Sequence, residues 1–193
     1  MKINPKSGVF DNDISHNDIE GSLLLNSNYY DLREVQNQTN ALLLLLEQSK
    51  NLCASDPDYL FMLEELNDFL QPRPARIVIG LDEKLINGNR EDLIDEAIYL
   101  EGKFSRLVSR GQFSVKDQVT YLYCLSKINT TFSCYVKPLF KKTVDPAIID
   151  KILIEKVINP VFNDVSAVTV HITSEMVRGM IFFLTGKCHL KWE

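Results

Sequence analysis

Residues 114–136 read SVKDQVTYLYCLSKINTTFSCYV, and this stretch decides the fold class. Val115, Val119, Leu122, Leu125, Ile128, Phe132 and Tyr135 recur at three- and four-residue steps, the period of a helix with one buried stripe. Ser114 stands just before the run, with Asp117 three residues later. This resembles a capping box that uses Asp for the usual Glu or Gln. The helix should stop near Pro138.

The same signals recur on either side. Upstream, NREDLIDEAIYLEGKFSRLVSR (89–110) offers Asn89 as a cap, Glu91 and Asp92 in a first turn where the helix dipole favours anions, and Gly111 as the end. Its apolar face is Leu93, Ile94, Ala97, Ile98, Phe104, Leu107 and Val108. Downstream, Asp145-Pro146 opens a helix that runs to Ile158 and is stopped by Pro160. Thr173 or Ser174 caps EMVRGMIFFLT (175–185), ended by Gly186.

Two more helices precede these. In DLREVQNQTNALLLLLEQSKNLC (31–53), Leu32, Val35, Leu42, Leu45, Leu46 and Leu52 share a stripe. The run Leu42, Leu43, Leu44, Leu45, Leu46 makes the middle apolar nearly all round, so this helix must be buried on more than one side, in a core or a partner. Asp56-Pro57 opens PDYLFMLEELNDFL, ended by Pro72 and Pro74. Strand signals are confined to Arg76–Ile79 and Val168–Ile172, readable as extended connectors or a minor pair. The chain therefore reads as mainly α, a compact helical domain of about five to seven helices with a polar, partly mobile N-terminal segment. It lacks the repeat of roughly 20–50 residues that a solenoid requires.

The organisation that follows is a polar leader over 1–30, ordered on a partner or not at all, an N-terminal helical hairpin over 31–75, and a C-terminal helical domain over 76–193. QPRPAR (71–76) is the best linker, and the charge balance changes sign there. Residues 1–70 carry four basic side chains against twelve acidic ones, a net −8; residues 71–193 carry 17 against 14, a net +3. A pI near 5.3 argues against a nucleic-acid binder as the first reading. Cys53, Cys124, Cys134 and Cys188 form no C-x-x-C pair and read as reduced thiols. With no secretory h-region at the start, and an apolar run at Ala41–Leu46 far below the ~20 residues of a membrane span, the chain is expected to be soluble and cytoplasmic, without membrane contact.

No phosphate-cradling loop, H-E-x-x-H or G-x-S-x-G motif is present, and no cofactor or metal is expected. Cys188-His189 is the most suggestive pair for a nucleophile or a zinc site, but neighbours in an extended segment point apart and no further ligand stands at metal-site spacing. Glu91, Asp92, Asp95 and Glu96 could serve acid–base chemistry; Glu91 and Asp95, an i,i+4 pair opposite Leu93 and Ile94, have the look of a solvated face. Lys137, Lys141 and Lys142, with Lys151 and Lys156, make the densest basic region. It suits an acidic protein surface better than nucleic acid, because few aromatics are interleaved to stack on bases. Trp192 and Leu190 should pin the C-terminal tail, either on the 174–185 helix or into another subunit. The expected partner-binding residues are Leu42 to Leu46, Lys137, Lys141, Lys142 and Trp192.

Several phrases carry a resemblance: NREDLIDEAIYLEGKF (89–104), SKINTTF (126–132), Lys137-Pro138, IDKILIEKVINPVF (149–162) and GMIFFLTGKCHLKW (179–192). Together they resemble the C-terminal helical domain of the bacterial ABC-three-component conflict systems, which include Lamassu-type anti-phage defence. The resemblance implies an effector or a small accessory subunit assembling on an SMC/Rad50-like ABC ATPase. An effector's enzymatic part, often a nuclease, precedes such a domain in that family. The stretch ahead of residue 76 is short for a nuclease and lacks its carboxylate–lysine signature. The expectation is a non-enzymatic adaptor that docks on the ATPase and links it to an effector subunit, with nucleic acid met only through the complex and a homodimer left open. The alternatives are a small hydrolase or nuclease using Cys188, His189 and nearby acids such as Asp95, and a nucleic-acid-binding subunit using the 137–156 lysines.

Overall fold

The computed structural model describes residues 41–53, 55–74, 76–111, 113–142 and 144–193; the polar leader and the start of the leucine-rich helix lie outside these. Among the described residues the regular structure is helical throughout, with no strand. A helical stretch over 41–49 (α1) is followed by α2 (Pro57–Leu70), α3 (Leu81–Asn87), α4 (Ile94–Ser109), α5 (Val115–Thr131), α6 (Pro146–Leu153), α7 (Asn159–Ser166) and α8 (Ser174–Gly186). This is the mainly α architecture the periodicity calls for, with Arg76–Ile79 and Val168–Ile172 serving as connectors.

The start signals hold where a side chain reaches a backbone N–H. Ser114 and Asp117 form the reciprocal capping box of α5. Asp145 accepts from the Ala147 N–H at the start of α6, and Thr173 from the Met176 N–H at the start of α8. Each satisfies a donor that the helix itself leaves orphaned.

Asn89 departs from its expected role. It caps the end of α3, a helix that periodicity missed, rather than the start of α4. Asn89 sits in the left-handed region (φ 53°), its N–H bonds to the Ile86 carbonyl and that of Arg90 to the Leu85 carbonyl. That pair of bonds defines a Schellman closure with Asn in the glycine position. A 3₁₀ turn, Glu91–Leu93, then leads into α4. The end of α8 closes in the same way, with Cys188 rather than Gly186 in the left-handed region (φ 63°).

Pro160 does not stop its helix, contrary to the sequence reading. A π turn, Ile154–Ile158, joins α6 to α7, and the Asn159 N–H reaches back five residues to the Ile154 carbonyl. The same device precedes Pro138: a π turn at Phe132–Val136, closed by the Lys137 N–H on the Phe132 carbonyl, and then a 3₁₀ turn, Lys137–Lys141. Widening the helix just ahead of a proline shifts the hydrogen-bond register where the ring has no N–H to offer.

Helix α8 is the axis of the core. Val177 and every residue from Gly179 to Thr185 are buried, so beyond its polar first turns this helix is covered all round. Its most extensive partner is α4. The two backbones come close at Gly179, where a Cβ would stand 2.8 Å from the Leu100 carbonyl oxygen. Phe104 of α4 packs edge-on against both Phe183 and Tyr121. Ile98, placed on the apolar face of α4 by its spacing, is exposed together with Tyr99; the buried face runs through Ala97, Leu100 and Phe104.

Candidate functional site

The C-terminal tail folds back onto its own domain. Trp192 is 1% exposed and ringed by Phe132, Phe140 and Phe182, with its Nε1 donating to Thr185 Oγ1 at 2.9 Å. The Arg90 guanidinium lies 5.9 Å from the indole centroid and is fully buried. Asp92 and Asp150 both hold it, at 3.0 Å and 2.8 Å. Burial works against the Arg90 charge, but hydrogen bonds to the two carboxylates outweigh it and raise its pKa. Gly88 is the facing backbone, so close that a Cβ would meet the Trp192 carbonyl oxygen at 2.5 Å. Of the two places expected for the tail, it therefore takes the 174–185 side of the core, and Trp192 offers no surface to another chain.

The side chains of Cys188 and His189 are held by different partners. Lys84 Nζ donates to the Thr185 and Gly186 carbonyls at 2.7 and 3.0 Å and lies 3.1 Å from Cys188 Sγ. Arg76 donates to the carbonyls of Cys188 and His189. Two cations thus sit at the C-terminal end of α8, where the exposed carbonyls favour positive charge. The cleft beside them, about 410 Å³, is walled by Ile77, Leu190 and Trp192. His189 Nε2 donates to the Gln71 carbonyl at 3.0 Å against the Phe69 ring, and burial holds its pKa below the ordinary histidine value. With Arg73 N–H bonded to the Lys187 carbonyl at 2.9 Å, the QPRPAR stretch is stitched to the end of α8.

The candidate acids also separate. Asp92 holds Arg90, and Glu96 makes a two-pronged pair with Arg178 that ties α4 to α8, while Glu91 and Asp95 face solvent. Cys124 is buried, and burial, reinforced by the charge of Asp164, pushes its thiol up to about 12. Among the described residues no group of three or more His, Cys, Asp or Glu side chains converges as a metal site would require. None of their helices is long and apolar enough to cross a membrane.

Of the basic region, Lys141 and Lys142 are exposed and Lys137 is half-buried. Lys141 and Lys142 border a small cleft of about 310 Å³ whose back wall is Arg90, already held by its two carboxylates.

The leucine run is the feature left unabsorbed. Leu42 is in the core, but Leu43, Leu44 and Leu45 are 46%, 59% and 44% exposed, and on α2 Leu60 and Phe61 are exposed too. Among the described residues only one side of α1 is covered: they bury Leu42 and leave Leu43, Leu44 and Leu45 open, short of the cover on several sides that the run calls for. A groove of about 990 Å³ runs between α1, α2 and α5, with Leu45, Leu52, Met62, Val119 and Leu122 supplying its apolar lining. Tyr123 and Lys127 border it and reach down to the fully buried Asp164 of α7. The α5 wall was invisible to a reading of local stripes, because Leu122 and Val119 pass equally well for core residues of one amphipathic helix.

Residues 80–192 match the family described as C-terminal domain 9 of the ABC-three component (ABC-3C) systems. The match starts at the glycine before α3 and ends at the buried tryptophan, spanning α3 to α8 and the folded-back tail. The chain belongs to this family, and membership points to a component of an ABC-three-component system. No curated protein and no solved structure matches it.

Proposed function

We propose that this chain is a non-enzymatic accessory subunit of a bacterial anti-phage ABC-three-component system, working in the cytoplasm. It docks on an SMC/Rad50-like ABC ATPase and links that ATPase to an effector. The observation that carries the reading is the contrast between a family domain with a closed core and the exposed leucines upstream of it. Contiguous apolar surface of this kind on a folded chain marks an interaction face. The separation of Cys188 from His189 and the engagement of Asp92 and Glu96 in ion pairs support a structural rather than a catalytic use of those residues.

The test is co-expression with the products of adjacent genes followed by size-exclusion chromatography. A stoichiometric complex with the ATPase or effector is expected. A chain that runs alone as a compact monomer and captures nothing would overturn the reading. Alanine changes at Cys188, His189 and Asp95 are expected to affect stability or assembly; loss of a measurable turnover with the fold intact would move the chain to the enzymes.

A further inference from the structure

The chemistry of the missing partner can be read from the α1–α2–α5 groove. Its walls are helices, and no sheet edge among the described residues offers backbone pairing, so the fitting ligand is a helix laid in a groove. On α5 the lining runs from Val119 to Thr131, about 18 Å of axis at ~1.5 Å per residue, enough for roughly three turns. Leu45, Leu52, Met62, Val119 and Leu122 line all three walls, which calls for an apolar stripe on the occupant.

The segment that supplies two of its three walls is acidic overall. Residues 41–70 hold Glu47, Asp56, Asp58, Glu64, Glu65 and Asp68 against Lys50 alone, and Lys50 is paired with Glu47. Within the groove, the positive charge of Lys127 is answered by Asp164 and Asp58 stands in the wall. The chain's own first 40 residues have the wrong sign to be the occupant, with Lys2, Lys6 and Arg33 against six acidic side chains. A second copy would have to offer the C-terminal region, whose balance of 17 basic against 14 acidic side chains is far weaker than that of a dedicated basic helix.

We propose that this groove receives a basic amphipathic helix of about three turns from another subunit. The inference rests on the adaptor reading and adds the partner's charge and shape. The occupant's apolar stripe covers Leu45, Met62 and Leu122, and its Lys or Arg residues meet the acidic side chains of α1 and α2.

Fluorescence anisotropy on the full chain tests this with a labelled Leu/Lys peptide of about 14 residues, its leucines at i, i+3, i+4 and i+7. The controls are the same pattern in Leu/Glu and a scrambled Leu/Lys sequence. The patterned basic peptide should bind at least tenfold more tightly than either control, and Leu45→Lys should weaken it about tenfold. Leu44→Lys, which changes the net charge equally outside the groove lining, should weaken it less than twofold. Equal binding of the scrambled peptide, or equal losses in the two variants, would sink the proposal. It would fall equally if removal of residues 1–30 opened the groove to both charged peptides alike, or if Leu45→Lys abolished a homodimer. A complex with the neighbouring subunits that survives Leu45→Lys would leave the adaptor reading standing and remove the groove; no complex at all would remove both.

Discussion

Two five-residue apolar runs in this chain have opposite fates. Met180–Leu184, in α8, is buried at every position, at 2% exposure or less. Leu42–Leu46, in α1, buries one leucine and leaves the next three about half open. Their hydrophobicity is similar, so composition cannot explain the difference. Position does: α8 is enclosed by α3, α4, α5 and α7, while α1 lies on the rim, outside the span of the family domain. An all-apolar helix needs cover on every side, and where the domain around α8 does not supply it, another surface can.

The comparison is sharpest where a single side chain is removed from each run. Phe183→Ala should cost about 3–5 kcal/mol, as large-to-small changes in closed cores do, while Leu44→Ala should stay within about 0.5 kcal/mol of wild type. Urea unfolding of the two variants measures both, and similar losses would erase the distinction between the runs. Next in size is Gly179→Ala. Helix propensity alone would favour alanine by about 1 kcal/mol, but the new Cβ meets the Leu100 carbonyl oxygen. The net result should be destabilisation of roughly 1–3 kcal/mol. A stabilised variant would mean that α4 and α8 can separate at little cost.

A smaller effect concerns the seam between the two regions, where His189 meets Gln71 and Phe69. Burial is the main cause that keeps its pKa down, the Gln71 carbonyl works the other way, and the Arg73 and Arg76 cations add to the depression. The unfolded chain therefore takes up this proton first as pH falls below about 6.5. His189's contribution is complete above that value and is lost as pH drops toward the folded-state pKa. Thermal unfolding at pH 7.5 and 5.5 should show a smaller acid-induced loss in His189→Asn than in wild type. Equal losses would place the pH sensitivity elsewhere.

Much of the fold was legible because it is written in local chemistry. Ser114 with Asp117, Asp145 with Pro146, and Thr173 each announce a helix start through a side chain that reaches the backbone two or three residues on. Asn89 misled because the residues that cap helix starts also tolerate the left-handed turn that ends them. Pro160 misled because a π turn absorbs the missing N–H, and nothing in Ile154–Ile158 announces one. Helix α3 escaped because its seven residues are held from outside, by Lys84 on the end of α8. For the site, the leucine run was visible as excess apolar surface, but the groove was not. Its second wall, Val119 and Leu122 of α5, lies far along the chain from α1 and meets it only through tertiary packing.

The central claim is that α1 presents contact surface rather than core. Size-exclusion chromatography of the co-expressed system with Leu43→Ser, Leu44→Ser and Leu45→Ser combined tests it most directly. The expected result is a folded, soluble chain eluting apart from its partner. Co-elution as in the wild type, or a chain that no longer folds, would contradict it.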